Sequence, residues 1–478
     1  MKEDLMEALN RVEPSDWVEL SCEYGAEELK VRVPPGFKEL AMREAKLPED
    51  PRREIERAFE NPIGTGKLEE LVRTAGKKPE DMRVAVTVSD ITRPVPYRGK
   101  SGILQPILDR LEREGVAREH ITIVVGNGTH RPSTEDEKIR MFGRDVLSGG
   151  VPIVDHRCED QGMMVKVGYT ESGTLVYVNK HFAQADLKIA TGLVESHFMV
   201  GVSGGRKAVC PGLVDLKTIQ KFHGPEFLES PYATNLVLEN NPCHKEALEV
   251  AQRVGVDFTV NVTLDKDLKL TGAFAGDLVK AHEAAVQKVR STVEIPLEAE
   301  ANIVFTHGGY VGINHYQTAK AAVGAIPAVK QGGIMIVAAH NRDAEPIGGP
   351  EYKTLIHLLK LQGPDGYVSA IRHPGWRFVK DQWEPEVWAR ALRKVGERGL
   401  IYCTKEIGSA DFAYIPGTGG YEFLPSDQKG LQGIAGVEKM VQNALIWAVY
   451  QNKRAGVEPT VAFIREGPYA VPVLRSTK

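Results

Sequence analysis

From residue 84 onward the chain alternates short apolar runs with amphipathic helical stretches, and this alternation constrains the fold more than any other feature. The runs VAVTV (84–88), ITIVV (121–125) and DLKIAT (186–191) have the length and β-branched content of buried strands. Between the first two lies ILQPILDRLEREG (103–115), whose apolar residues recur at helical spacing. Pro106 sits in its first turn, where a missing N–H leaves no gap in the helical ladder. A further helix is expected over 134–142. The pattern breaks near 293–297 and then restarts. Strands are expected over 302–307, 333–339, 400–404 and 460–465, with helices over 316–329, 383–394 and 437–450. Strands joined by helices build a largely parallel sheet covered on both faces.

The expected fold class is therefore α/β, with two domains on mainly parallel, Rossmann-like sheets and an active site in the interdomain cleft. A chain of 478 residues is too long for one ordinary core. We place the boundary near residue 296, giving an N-terminal α/β domain over 1–296 and a C-terminal one over 297–478, with the last strand able to return to the first domain. Ahead of the first βα unit, residues 17–36 alternate apolar and polar across a Tyr-Gly turn and read as a β-hairpin. A polar helical region runs to residue 60, and a helix follows over 67–75. The Gly- and Pro-rich stretch 346–376 reads as a long surface excursion.

Charge excludes some partners. The formal net charge is −4, so no basic surplus draws nucleic acid, and no polybasic block draws an anionic membrane. No apolar run reaches membrane-spanning length. The opening MKEDLMEALNRVEPSDW lacks the apolar core of a signal peptide, so the expected location is the cytoplasm. Five cysteines, an odd number without a CxxC pair, argue against a disulfide framework or a cysteine-rich zinc site; they read as buried small hydrophobes.

In open parallel sheets, ligands gather at the carboxyl ends of strands. Asp90, Arg93, His130 and His197 each fall just past an expected strand. The stretch ESHFMVGVSGGRKAVCPG (195–212) is the most informative. Ser203-Gly204-Gly205 lets the backbone pass close to a ligand, and successive N–H groups can cradle an anion. It has neither P-loop spacing nor a dinucleotide fingerprint. It also fits a plain glycine turn with two solvated basic residues, Arg206 and Lys207. A lysine in such a turn beside a histidine is a candidate for covalent attachment. His130, His197 and His223 all lie in or next to glycine-containing loops. With Asp90, Arg93 and Lys207 they indicate a site without identifying its reaction. A zinc hydrolase would prefer clustered ligands such as HExxH, which the chain lacks. Further on, Gln317 and Lys320 lie on one face of an expected helix, fitting either a carboxylate contact or an ordinary polar face. Trp383, at another helix start, fits either a platform for a flat ring or a core tryptophan.

Seven pieces stand out in order: NPIGTGKLEEL (61–71), SDITRPVP (89–96), GTHRPST (128–134), ESHFMVGVSGGRKAVCPG (195–212), KFHG (221–224), HYQTAK (315–320) and DQW (381–383). In their order and spacing the chain resembles the nickel-pincer-dependent lactate racemase family, the catalytic subunit and its 2-hydroxy acid racemase and epimerase homologues, over nearly its whole length. The resemblance implies a cofactor, nickel in a pyridinium-3-thioamide-5-thiocarboxylic acid mononucleotide, covalently attached to Lys207 and built by accessory proteins. It makes His223 the protein ligand to nickel and His130 and His197 the paired acid–base residues. It places Asp90, Arg93, Ser203, Gly204, Gly205 and Trp383 at the cofactor, and Arg93, Tyr316, Gln317 and Lys320 at the substrate.

The implied reaction inverts the 2-carbon of a 2-hydroxy acid, lactate by default, by reversible hydride transfer. Removing an α-proton beside a carboxylate is hard. Deprotonating the hydroxyl while the α-hydrogen leaves as hydride avoids that carbanion and needs one base for each hand of substrate. The alternatives are an epimerase of a larger 2-hydroxy acid, such as a sugar acid, and a nickel- or cofactor-binding protein of the same fold without turnover. A retained histidine pair favours the enzyme.

Overall fold

Val84–Ser89 is buried at every position but its last, as a strand covered on both faces must be. It lies inside a six-stranded sheet ordered Leu270–Gly276, Phe258–Leu264, Leu187–Leu193, Val84–Ser89, Ile121–Gly126, Ile153–Asp155. Neighbours run parallel except for the outermost pair, Leu270–Gly276 and Phe258–Leu264, which is antiparallel. Helix Leu104–Arg113 buries Leu104, Ile107, Leu108 and Leu111, three and four residues apart, in one core with Val86, Ile123, Ile189 and Val260. Each such side chain withdrawn from water contributes roughly 1.5–3 kcal/mol, so burial on both faces fixes the register.

The computed structural model describes residues 2–475 and divides the chain into two units. The sheet just described belongs to a central unit, residues 44–292; a terminal unit combines residues 1–43 with 293–478. The terminal unit has its own six-stranded, all-parallel sheet, ordered Thr418–Gly419, Leu400–Cys403, Val329–Ala338, Ala301–His307, Val461–Ile464, Lys38–Leu40.

This division corrects the expected domains of 1–296 and 297–478. The expected hairpin forms as Val18–Tyr24 and Glu27–Val33, but its apolar face, including Leu20, Tyr24, Leu29 and Val31, joins the core of Ile303, Phe305, Val441 and Phe463. Lys38–Leu40 then extends the terminal sheet beside Val461–Ile464. The switch at the other end falls between residues 292 and 293. The last strands do not return to the central unit: Val461–Ile464 lies inside the terminal sheet, and Val471–Leu474 pairs with Glu294–Leu297. The expected excursion over 346–376 is instead largely a helix, Pro350–Arg372, broken where Gly363 takes φ +69° ahead of Pro364. All five cysteines are buried. Among the described residues no helix is long and apolar enough to cross a membrane.

Candidate active site

Leu187–Leu193, Val84–Ser89 and Ile121–Gly126 are adjacent and parallel, so the loops that follow them leave the same edge of the central sheet. Those loops carry 195–207, Asp90–Arg93 and Asn127–His130. Backbone ties them together: the Gly128 N–H donates to the Gly212 carbonyl at 3.1 Å. A Cβ on Gly126 would lie 3.4 Å from the Ala208 carbonyl, so the His130 loop rides directly on the segment after Lys207. Just past His130, Thr134 caps helix Glu135–Phe142, and the Glu137 carboxylate accepts from the Thr134 N–H at 2.8 Å and from Arg131. This capping box anchors the loop's far end.

The expected site residues Asp90 and His130 meet. Asp90 Oδ2 lies 2.6 Å from His130 Nδ1, and Oδ1 accepts from the Thr92 N–H at 3.1 Å and hydroxyl at 2.6 Å. Burial alone would raise the Asp90 carboxyl; the His130 contact and the two Thr92 donors outweigh it and hold the group below its usual range. An ionised carboxylate only accepts, so His130 Nδ1 donates, and the neutral ring carries its lone pair on Nε2. The His130 side chain is 53% exposed, so that nitrogen is reachable by a ligand. The carboxylate that the resemblance sends to the cofactor is thus engaged with the His130 ring.

His197 rests differently. Its Nδ1 accepts from the Met199 N–H at 3.2 Å, which places the proton of the neutral ring on Nε2. The ring stacks on Phe198, with centroids 4.9 Å apart, and its backbone pairs with Gly201 in a short antiparallel bridge. Asn241 holds this segment from below: its amide donates to the Met199 and Val237 carbonyls at 2.9 and 2.8 Å. The two histidines therefore present an acceptor nitrogen and a donor nitrogen, respectively.

The Lys207 turn is rigid. Gly204 and Gly205 take φ of +76° and +50°, and a Cβ on Gly204 would lie 2.6 Å from Val194 Cγ2. The Gly205 N–H donates to Asn261 Oδ1 at 2.9 Å, and Ser203 Oγ donates to the Leu193 carbonyl at 2.8 Å. Ser203 thus pins the loop through its own hydroxyl. Lys207 follows on the 3-10 turn Gly205–Ala208 and is half-buried. Arg206 is not solvated, contrary to the plain-turn reading; it is 1% exposed. Its guanidinium donates to the Val200 and Val202 carbonyls at 3.1 and 2.8 Å and lies 2.7 Å from His282 Nε2, which is also 2.8 Å from the Ser203 carbonyl. Burial pulls Arg206 down to about 9.

His223 closes the helix Leu216–Phe222, and its Nδ1 lies 3.0 Å from the Ile219 carbonyl. A carbonyl only accepts, so Nδ1 holds the proton and Nε2 the lone pair. Desolvation pulls His223 down to about 4 against that hydrogen bond, helped by the charges of Lys207 and His130, which lie within electrostatic reach. Arg93 Nε lies 3.8 Å from Glu195 Oε1, a pairing that sequence reasoning did not assign.

The remaining expected residues lie in the terminal unit. Tyr316, Gln317 and Lys320 share the half-buried face of helix His315–Ala325, while His315, Thr318 and Ala319 are buried. Tyr316 donates to Asp381 Oδ1 at 3.4 Å. Trp383 is buried and stacks on Phe378 with centroids 6.1 Å apart, the arrangement of a core tryptophan. Sequence reasoning also missed Asn261, Arg206 and His282 as supports of the Lys207 turn. An asparagine inside the strand FTVNVTL was the available signal for Asn261.

The strand-end histidines, one of them paired with a carboxylate, and a lysine on a glycine turn stand together at the carboxyl edge of a parallel sheet in an α/β protein. Residues 24–235 match the lactate racemase N-terminal domain and residues 297–409 the lactate racemase C-terminal domain. A lactate racemase from Lactiplantibacillus plantarum is 38% identical over 340 residues, covering 71% of this chain and 77% of that protein. One from Thermoanaerobacterium thermosaccharolyticum is 34% identical over 340 residues, covering 71% and 76%. The lactate racemase apoprotein structure from the latter organism aligns with a TM-score of 0.80 at 28% identity, over 96% of this chain and 100% of that chain. A Thermotoga maritima protein shares the fold at a TM-score of 0.59 and 16% identity, over 90% of this chain and 100% of that chain. The chain belongs to the lactate racemase family and is an isomerase.

Proposed function

We propose that the protein inverts the 2-carbon of lactate, with His130 and His197 as the acid–base pair, Lys207 as the attachment point of a nickel-pincer nucleotide and His223 as the protein ligand to its nickel. The observation that carries this reading is the placement of Asp90, His130, His197 and Lys207 on loops from three adjacent strand ends, with His223 within electrostatic reach of Lys207 and His130.

The residues fit such a group. His223 is a neutral imidazole whose Nδ1–H is held by a backbone carbonyl, the arrangement that directs Nε2 at a metal. Gly204 and Gly205 lack the Cβ atoms that would meet Val194 and His282, so the turn that carries Lys207 packs closely against both. When bound, the cofactor would supply an electron-poor carbon that takes up and returns the substrate's α-hydrogen as hydride.

The chain's own residues do the rest. His130 Nε2 takes the hydroxyl proton of one enantiomer, and the Asp90 carboxylate stabilises the imidazolium that results. His197, once protonated to the imidazolium, supplies a proton to the alkoxide of the other enantiomer and is left neutral; in the reverse direction the two exchange roles, each ring cycling between imidazole and imidazolium. Lys320 in the terminal unit serves as a fixed positive donor to the substrate carboxylate, and Arg93 in the central unit as one to substrate or cofactor anions.

The test is protein produced together with the cofactor-building accessory proteins. Given pure L-lactate or pure D-lactate, it should bring either to an equal mixture, because enantiomers are equal in free energy. Cofactor-loaded protein that leaves both enantiomers untouched would defeat the proposal.

A further inference from the structure

In the terminal unit lies a carboxyl that the reading above does not use, with Lys320 within its electrostatic reach. Glu384 is 2% exposed in the first turn of helix Trp383–Gly399, and its Oε1 has no hydrogen-bond partner. Its backbone N–H donates to the carbonyl of Asp381, a non-glycine residue held at φ +66°. Asp381 in turn accepts from Tyr316, one helical turn from Lys320. A buried, under-bonded carboxyl beside a strained residue is an arrangement that packing alone does not call for.

We infer that Glu384 is a proton-carrying counter-group to Lys320: when ionised it competes for the lysine, and when a hydroxy-acid carboxylate binds at Lys320, Glu384 holds a proton. The inference rests on the proposal that Lys320 anchors the substrate carboxylate. Two carboxylates next to one ammonium in a dry site repel each other, so the incoming anion and an ionised Glu384 exclude one another.

The surroundings support this. Burial pushes Glu384 up to about 8; Lys320 pulls the other way and Asp381 adds to the rise. Titratable groups lie on the elements packed against its helix, and of them Tyr316 and Tyr352 are within electrostatic reach of Glu384. Helix His315–Ala325 contributes Tyr316, Lys320 and His315, the last held neutral by burial. Helix Pro350–Arg372 contributes Tyr352, which bonds His315 at 2.8 Å, and Tyr367, which donates to the Gln382 carbonyl at 2.7 Å. The sheet contributes Tyr402, which donates to Asn341 Oδ1 at 3.0 Å; the buried half of Val329–Ala338 is apolar. On its own helix, Glu386 lies within electrostatic reach of Tyr367. Lys320 is therefore the positive group that opposes the rise of Glu384.

The test uses holo-protein with lactate between pH 6 and 10. In the wild type, KM should be flat below pH about 8 and then rise by up to roughly tenfold per pH unit. Glu384→Gln should remove that rise while leaving the low-pH KM within about twofold. Calorimetric titration of the wild type with lactate near pH 8.5, in buffers of different ionisation enthalpy, should show proton uptake on binding. This second measurement stands even if Glu384→Gln fails to fold. Binding without proton uptake, or an unaltered KM profile in Glu384→Gln, would overturn the inference. If Lys320→Met raises KM while Glu384→Gln keeps the wild-type profile, only the role of Glu384 falls. If Lys320→Met leaves KM unchanged, the anchoring role of Lys320 falls too.

Discussion

Asp90 and His130 are joined by a 2.6 Å contact between Oδ2 and Nδ1, so the imidazole presents its other nitrogen as a base. The carboxylate fixes the tautomer and orients the ring, and in the role proposed above it would stabilise the imidazolium. Asp90→Asn keeps the shape and removes the charge. Turnover should fall by about 10²-fold with little change in KM, because the lost interaction strengthens only as the ring takes a proton. Steady-state kinetics of the holo-variant checks this. The same pair contributes to stability. The folded-state carboxyl is held low, so its contribution is present at neutral pH and lost as pH falls through that depressed value. Urea unfolding at pH 7 and pH 3 should show the gap between wild type and Asp90→Asn closing in acid.

Lys207 follows two glycines held at positive φ, Gly204 and Gly205. Protein made with the accessory machinery should carry added mass on this residue, and Lys207→Ala should lack it in intact-mass measurements. Persistence of the adduct in the variant would remove Lys207 from the role.

His223 offers a neutral imidazole with its proton held on Nδ1. His223→Ala should lose most bound nickel by elemental analysis while its far-ultraviolet circular dichroism stays that of the wild type. Normal nickel content in the variant would assign the metal to another ligand.

Gly204 cannot readily be replaced. Its φ of +76° and the 2.6 Å approach of a would-be Cβ to Val194 Cγ2 lead us to expect Gly204→Ala to destabilise the protein by about 1–3 kcal/mol. Denaturant unfolding of the apoprotein measures this, and loss of the Lys207 adduct should accompany it.

Much of this was legible in the sequence, for a physical reason. VAVTV, ITIVV and NIVFTH are buried at nearly every position, so their sequences are dominated by apolar residues, and Asp90, Arg93 and His130 fall just past the first two at the carboxyl edge of the central sheet. Allegiance was harder to read. The alternation in 17–36 shows that the hairpin has a face to bury but not which core covers it, and three residues at Lys38–Leu40 pair with a strand more than 400 residues away in sequence. Helix Pro350–Arg372 hid behind Gly363 and Pro364, which punctuate without ending it. Arg206 misled because its buried guanidinium is satisfied by the Val200 and Val202 carbonyls, and backbone partners leave no mark in a sequence.

The central claim is that His130 and His197 move the hydroxyl proton while the α-hydrogen travels as hydride and returns to the same carbon. Mass analysis of product formed early from α-deuterated lactate in ordinary water tests this most directly. The account predicts lactate of opposite configuration that retains its deuterium, with His130→Ala and His197→Ala each slowing its formation by roughly 10²–10⁴-fold in both directions. Extensive incorporation of solvent hydrogen at the α-carbon would contradict it, because a proton parked on a histidine nitrogen exchanges with water and a hydride held on carbon does not.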